Sequence, residues 1–314
     1  MAQSYTWIKE INDAAFNFNK LNPHITTSSL QHYLTYYSFD MTAFTTYRCG
    51  SVEVKGKKIF IQAFLHEKSK GTIYFVHGYL DHTGGMSRTI NMLLLDGYDV
   101  ISLDLPGHGF SQGESGSIAS FDDYVEAVEK GYHVIKKTLK RQNVIGLGHS
   151  TGGGILFHAA SENKLNLARL VLVAPLYIPY GWNMYKGVLK TAGKVVTKSK
   201  RRFKKNSEDY VYREFIRNDP LQVKLLSSSW VLAMEEWQKR IICCPILNIP
   251  VYCLQGGKDT TVDWKKNVSF YEQKCRHIQI VFFPNGRHQL LNESNVIRTF
   301  VYDRIRTYLE VECE

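Results

Sequence analysis

Gly148-His149-Ser150-Thr151-Gly152 follows the apolar run Asn143-Val144-Ile145-Gly146-Leu147 and precedes the helix-compatible run Gly153 to Ser161. A strand, a tight turn and a helix in that order force the central residue of the turn into a rare backbone conformation. The turn lifts the Ser150 hydroxyl clear of a sheet edge. It needs small residues two positions to either side, where Gly148 and Gly152 stand. Five residues alone are equally well read as an ordinary glycine-rich turn, so the rest of the chain must decide between the two.

Working outward, Thr72 to Val76, Asp99 to Leu103, Val144 to Leu147, Leu170 to Val173, Val251 to Leu254 and Ile278 to Phe283 are short runs apolar on both faces. Such runs suit a buried, mostly parallel sheet, and the helical patterns between them suit an α/β layer fold with flanking helices. Ser51 to Val54 and Lys58 to Phe64 flank Lys55-Gly56-Lys57 as a hairpin. Ser120 is placed to cap a helix with Asp123 as its capping-box partner, and Phe121, Tyr124, Val125, Val128, Tyr132, Ile135 and Leu139 mark the apolar face. Upstream, Trp7, Ile11, Ala14 and Phe18, then Leu30, Tyr33, Leu34 and Tyr37, fall at helical spacing. The strand–helix rhythm breaks between Tyr177 and Leu247, a gap far longer than a crossover needs. The organisation expected is therefore an N-terminal helical extension over 1–45, a core over 46–176 and 247–314, and an inserted helical lid over 177–246. The lid would lie above the carboxyl ends of the strands, where open α/β sheets bind ligands.

A serine hydroxyl is a poor nucleophile until a base takes its proton, and the base is normally a histidine oriented by a carboxylate. With serine first in the chain, acid and histidine follow in that order, each after a late strand. Asp259 ends Val251-Tyr252-Cys253-Leu254-Gln255-Gly256-Gly257-Lys258-Asp259, and His288 follows Ile278 to Phe283 through Pro284-Asn285-Gly286-Arg287. Asp263 is the alternative acid, with helix capping as its other reading. Glu293 reads as the opening of the final helix, and His277 and His149 as structural. Two N–H groups must face a developing oxyanion. The sequence places one on Thr151 and the other on Tyr79, in the loop Tyr74-Phe75-Val76-His77-Gly78-Tyr79-Leu80. Asp104 and His108, in Asp104-Leu105-Pro106-Gly107-His108-Gly109-Phe110-Ser111, are expected to hold loops together.

Together with His77-Gly78-Tyr79-Leu80-Asp81-His82-Thr83-Gly84 and Gly286-Arg287-His288-Gln289-Leu290-Leu291-Asn292-Glu293, these segments resemble the α/β-hydrolase superfamily. The closer likeness is to its monoacylglycerol lipase and lysophospholipase branch, grouped with serine aminopeptidase-like hydrolases. The resemblance covers roughly residues 50 to 310. It implies an α/β-hydrolase fold, Ser150, Asp259 and His288 as triad, Tyr79 and Thr151 as oxyanion donors, and no metal or organic cofactor. The activity it implies is hydrolysis of a single-chain lipid ester, a lysophospholipid or a monoacylglycerol. A serine aminopeptidase or small-ester esterase is the alternative within the class, and a non-catalytic binding protein the alternative outside it. The family usually has methionine where Thr151 stands, and residues 1–45 match none of its motifs.

Composition agrees with a globular enzyme: 314 residues, 44% hydrophobic and 22% charged. No apolar run is long enough to span a bilayer, and the opening residues lack a secretory profile. The six cysteines show no metal or redox spacing. The expectation is a cytoplasmic protein with free thiols, peripheral at a membrane if the lid docks there. The net charge of +10 is local, because nine Lys and Arg and no acid fall between Lys186 and Lys205. That argues against a nucleic-acid partner. Lys186, Lys190, Lys194 and Lys198 recur every four residues, as on one helical face, and Arg201, Arg202, Lys204 and Lys205 follow as a cluster. Such a segment predicts contact with an anionic membrane surface.

Overall fold

The short strands send successive side chains to opposite faces, and both faces are apolar. In β3 (Thr72–Val76), Ile73 and Phe75 enter one hydrophobic core while Tyr74 and Val76 enter another. In β6 (Arg169–Val173), Leu170 and Leu172 divide from Val171 and Val173 in the same way. Strands of this kind must be covered on both sides. A computed structural model describes residues 5–14, 17–18, 27–184, 198–201 and 203–311. It places an eight-stranded sheet between the two cores, in the order β1-β2-β4-β3-β5-β6-β9-β10. Here β1 is Thr46–Val54, β2 Lys57–Leu65, β4 Asp99–Leu103, β5 Val144–His149, β9 Leu247–Gly256 and β10 Cys275–Phe283. β1 and β2 run antiparallel and β2 is antiparallel to β4, while all pairings from β4 across to β10 are parallel. The β1–β2 turn has positive φ at both Lys55 (48°) and Gly56 (73°), a geometry whose twist matches that of the strands.

One core receives α4 (Phe121–His133), α5 (Thr151–Ser161), α7 (Ser228–Ile241) and α8 (Trp264–Lys274) through Phe121, Ile155, Trp237 and Tyr271. The other receives α1 (Thr6–Asp13), α2 (Ser28–Tyr36), α3 (Ser87–Leu95) and α9 (Asn295–Glu310) through Trp7, Leu34, Leu93 and Ile305. The N-terminal helices therefore share a core with β2 and β3. Tyr33 and Tyr47 also clamp the buried amide of Gln62, which donates to the Tyr33 hydroxyl at 3.0 Å and accepts from the Tyr47 hydroxyl at 2.8 Å.

The structure differs from the sequence reading in four places. α1 ends at Asp13, so Phe18 is not on its face; it lies under the Arg48 guanidinium, 5.1 Å from ring centroid to Cζ. Ser120 caps α4 by accepting the N–H of Asp122, and Asp123 pairs with Lys55 at 3.2 Å instead of closing a capping box. The helical pattern after His133 widens into a π-type turn over Val134–Thr138. The inserted segment is not wholly helical. Beside α6 (Tyr210–Asn218) and α7 it contains β7 (Lys198–Lys200), paired antiparallel with β8 (Leu225–Ser227). Lys198 is thus a strand residue, ion-paired with Glu114 at 2.6 Å, and not part of a helical face.

Trp7 is 3% exposed and packs against Tyr33, Tyr37 and Phe110. Trp7→Ala is expected to lower the unfolding free energy by about 3–5 kcal/mol, as other buried aromatic truncations do. Urea denaturation checks this, and an unchanged midpoint would show that α1 is not docked.

Candidate active site

Ser150 sits between the end of β5 and the start of α5 with φ 51° and ψ −117°. A non-glycine residue held there stores on the order of 1–3 kcal/mol. Its neighbours over-determine it. The Ser150 N–H donates to Val173 O at 2.9 Å, and its carbonyl accepts the N–H groups of Leu176 at 3.0 Å and Gly154 at 3.1 Å. The turn also needs glycine at 152, since a Cβ there would meet the carbonyl oxygens of Val76 at 2.2 Å and His77 at 2.4 Å. α5 begins without a side-chain cap, so its first N–H groups point towards the turn.

The loops after β9 and β10 bring two more side chains to this hydroxyl. His288 Nε2 lies 3.0 Å from Ser150 Oγ, and His288 Nδ1 lies 2.8 Å from Asp259 Oδ2. All three residues are buried. Burial alone would raise the Asp259 carboxyl pKa. The facing imidazole and the N–H groups of Thr261 and Val262, at 2.8 and 3.1 Å from Oδ1, outweigh burial and hold it below the ordinary value. Asp263 instead caps α8 by accepting the Lys266 N–H. His277 is exposed on β10. His149 packs 4.9 Å from the His288 ring, centroid to centroid, and its Nε2 lies 3.2 Å from the His288 carbonyl. Glu293 does not open α9, whose N-cap is Ser294. Its buried carboxylate accepts the N–H of Arg287 at 3.0 Å and of Glu208 at 2.8 Å, tying the His288 loop to the inserted segment. Acid residues just before a helix read as caps from sequence, and nothing local signals this longer reach.

The loop after β3 approaches the turn closely enough that a Cβ on Gly78 would lie 3.1 Å from the Ser150 Cβ. Tyr79 and Thr151 line the same cavity as Ser150 and His288. Among the described residues neither backbone N–H has a protein acceptor. Two buried histidines brace this loop. His77 Nε2 accepts the Leu105 N–H at 2.9 Å, so Nδ1 carries the proton and donates to Gly78 O at 2.8 Å. His108 Nε2 accepts the Leu80 N–H at 3.1 Å and Nδ1 donates to Pro106 O at 2.9 Å. Burial pushes both pKa values down to about 3, keeping the rings neutral. Asp104 accepts the N–H groups of Thr83 at 2.8 Å and Phe110 at 2.9 Å. Beyond the loop, His82 Nε2 donates to Asp219 at 2.8 Å, and Asp219 also accepts the Tyr37 hydroxyl at 2.6 Å. His82 Nδ1 accepts the Gly84 N–H at 3.2 Å, so Nε2 carries the proton that it donates to Asp219.

A cavity of about 220 Å³ opens over Ser150. Trp182, Phe203, Ile216, Leu226, Trp230 and Val231 of the inserted segment line it, with Leu176 and Val262 of the core. Trp230 stacks on the Tyr79 ring at 4.0 Å. The basic run is divided. Lys186, Lys190, Lys194 and Arg202 lie outside the described residues. Arg201 does not face an outer surface, because its Nη1 donates to Leu80 O at 3.3 Å and Val223 O at 3.1 Å and it lines the cavity. Lys204 and Lys205 are both exposed; Lys204 also lines the cavity, and Lys205 is paired with Glu208 at 2.7 Å. Among the described residues no cluster of His, Cys, Asp or Glu is set to hold a metal ion, and no helix is long and apolar enough to cross a membrane.

Serine after β5, acid after β9 and histidine after β10, with the elbow at the carboxyl ends of the parallel strands, define an α/β-hydrolase. The chain belongs to the family described as "Serine aminopeptidase, S33", which it matches over residues 67–295. A monoglyceride lipase homolog of Monkeypox virus is 26% identical over 251 residues, covering 76% of this chain and 89% of the viral protein. The monoglyceride lipase of Saccharomyces cerevisiae is 22% identical over 268 residues, covering 77% of this chain and 85% of the yeast protein. A crystal structure of a soluble variant of that yeast lipase with a substrate analog superposes with a TM-score of 0.70 at 20% identity, covering 83% of this chain and 94% of the other.

The buried rings predict how stability depends on pH. His77, His108 and His149 each have a folded pKa of about 3, against an ordinary 6.5. Between those values the unfolded chain binds more protons, so stability falls as pH drops below 6.5. Asp81, raised by burial to about 6, takes up a proton in the folded state and offsets one of the three. The three rings outweigh the one carboxyl, so the folded protein is expected to lose stability between pH 6 and 5. Urea titrations at pH 7, 6 and 5 measure it, and a flat profile would show that the rings are protonated in the folded protein.

Proposed function

We propose that this chain is a serine hydrolase that cleaves the carboxylic ester of a single-chain lipid through an acyl-enzyme. The observation that carries the reading is the position of His288, within hydrogen-bond distance of Ser150 on one side and Asp259 on the other. In this reading His288 Nε2 takes the hydroxyl proton as Ser150 Oγ attacks the ester carbonyl carbon. Asp259 fixes the tautomer by accepting from Nδ1 and stabilises the imidazolium. The carbonyl oxygen becomes an oxyanion facing the N–H groups of Tyr79 and Thr151. His288 then gives its proton to the departing alcohol oxygen, and water repeats the sequence in reverse to release the acid.

The apolar cavity supports an acyl chain as the group held during attack. The names of the relatives, monoglyceride lipases and a phospholipase of Bacillus subtilis, support the same class of substrate. We take residues 177–246 to be the cap over the site. An aminopeptidase would need a carboxylate to hold a free amine, and no Asp or Glu is among the residues lining the cavity. Glu208 and Asp209 are engaged with arginines elsewhere, and Glu214 and Glu236 with their own helical neighbours. A purely binding role leaves the strain at Ser150 without a purpose.

Ser150→Ala is expected to abolish labelling by a fluorophosphonate probe and hydrolysis of p-nitrophenyl esters. Asp259→Asn is expected to lower kcat by about 10³–10⁴-fold with the fold intact. Labelling that persists in Ser150→Ala would overturn the assignment.

A further inference from the structure

The cavity that holds Ser150 is charged on one side only. Arg201 and Lys204 line it, and no carboxylate does. Arg201 spends one nitrogen, Nη1, on the carbonyls of Leu80 and Val223, and its guanidinium stacks on Phe203 at 4.6 Å. Among the described residues neither Arg201 nor Lys204 is in a salt bridge, although Lys198 and Lys205 on either side each have one. The carboxyl that acts most strongly on Arg201 is Asp81, which is 3% exposed and lies outside the cavity wall. The Leu80 carbonyl that Arg201 grips belongs to the residue next to Tyr79. The guanidinium is therefore anchored to the loop that carries the Tyr79 N–H.

Two amides stand in the cavity wall, with their side-chain oxygens turned away from the open space. Gln289 is 7% exposed, and its Oε1 has no hydrogen-bond partner; the Oδ1 of Asn206 has none either. Both residues line the cavity, and the Gln289 N–H donates to Asn206 O at 2.9 Å, so the two are held side by side. Buried acceptors without donors are costly.

We propose that this end of the cavity binds the phosphate of a lysophospholipid headgroup, with Arg201 and Lys204 on the phosphate. The proposal rests on the ester-hydrolase reading and narrows it, since a monoacylglycerol offers the hydroxyls but nothing for two cations. Arginine and lysine are suited to a phosphate as charge-assisted donors.

The test compares 1-acyl lysophosphatidic acid with the monoacylglycerol of the same chain, which differ only by the phosphate. Both are presented at the same low mole fraction in neutral-detergent micelles and at high ionic strength, so that attraction to a charged surface contributes little. The full-length protein is expected to show a kcat/KM at least about tenfold higher for the anionic lipid. Lys204→Gln and Arg201→Gln are each expected to lower that ratio about tenfold, the worth of one charge-assisted contact. Because a ratio is read, a general loss of activity cancels. The Lys204 side chain is exposed and in no salt bridge among the described residues, so its variant keeps the test decisive even if Arg201→Gln misfolds. Glycerol 3-phosphate is expected to inhibit more strongly than inorganic phosphate, which separates a headgroup site from a simple phosphate site. Calorimetric binding of short-chain lysophosphatidic acid to Ser150→Ala reads the site without turnover, so failure of hydrolysis and failure of the headgroup site are distinguished. A wild-type ratio of one or less, or a ratio unmoved by Lys204→Gln, overturns the proposal.

Discussion

Everything at the site depends on the backbone of Ser150 being held where it does not rest by itself. Its φ of 51° and ψ of −117° persist because its N–H and its carbonyl are both bonded into β6 and the segments that follow it. Gly152 allows the loop carbonyls of Val76 and His77 to come within reach of the turn. The same pinning fixes the direction of α5 and hence of the Thr151 N–H. Strain of this size survives only where the surrounding structure fixes the position several times over, and here strands on both sides of β5 do so.

Four histidines gather around this point, and their surroundings divide them. His77, His108 and His149 are buried against backbone carbonyls and kept neutral, with tautomers set by the groups they bond. They act as braces for the loop that presents Tyr79 and for the backbone of His288. His288 alone faces a carboxylate on one nitrogen and a hydroxyl on the other. His82, further along the same loop, is paired with Asp219 from the inserted segment and through it with Tyr37 of the N-terminal region. The loop, the inserted segment and the end of α2 therefore meet at one buried carboxylate, which gives α2 a mechanical part in holding the site.

Much of this was legible from the chain. Short runs apolar on both faces can lie only in a covered parallel sheet, which is why β3, β4, β5 and β6 fell within a residue or two of their expected bounds. Glycines flanking a serine between a strand and a helix gain their meaning from Asp259 and His288, each of which follows a late strand. What escaped depends on contacts far apart in sequence. Lys198-Ser199-Lys200 has no apolar period, and it is a strand because β8 pairs with it from more than 20 residues away. Arg201 reads as one more surface cation until the carbonyls of Leu80 and Val223 are seen beside it. Glu293 reads as a helix start, yet it clamps the His288 loop from below. No local pattern encodes the bond between His82 and Asp219, 137 residues apart.

The measurement that bears most directly on the account is a crystal structure of the protein after reaction with a long-chain alkyl phosphonate. The expected result has phosphorus bonded to Ser150 Oγ, the alkyl chain along the cavity, and the phosphoryl oxygen at about 2.7–3.1 Å from the N–H nitrogens of both Tyr79 and Thr151. A label on another residue, or an oxygen turned away from those two amides, would contradict it.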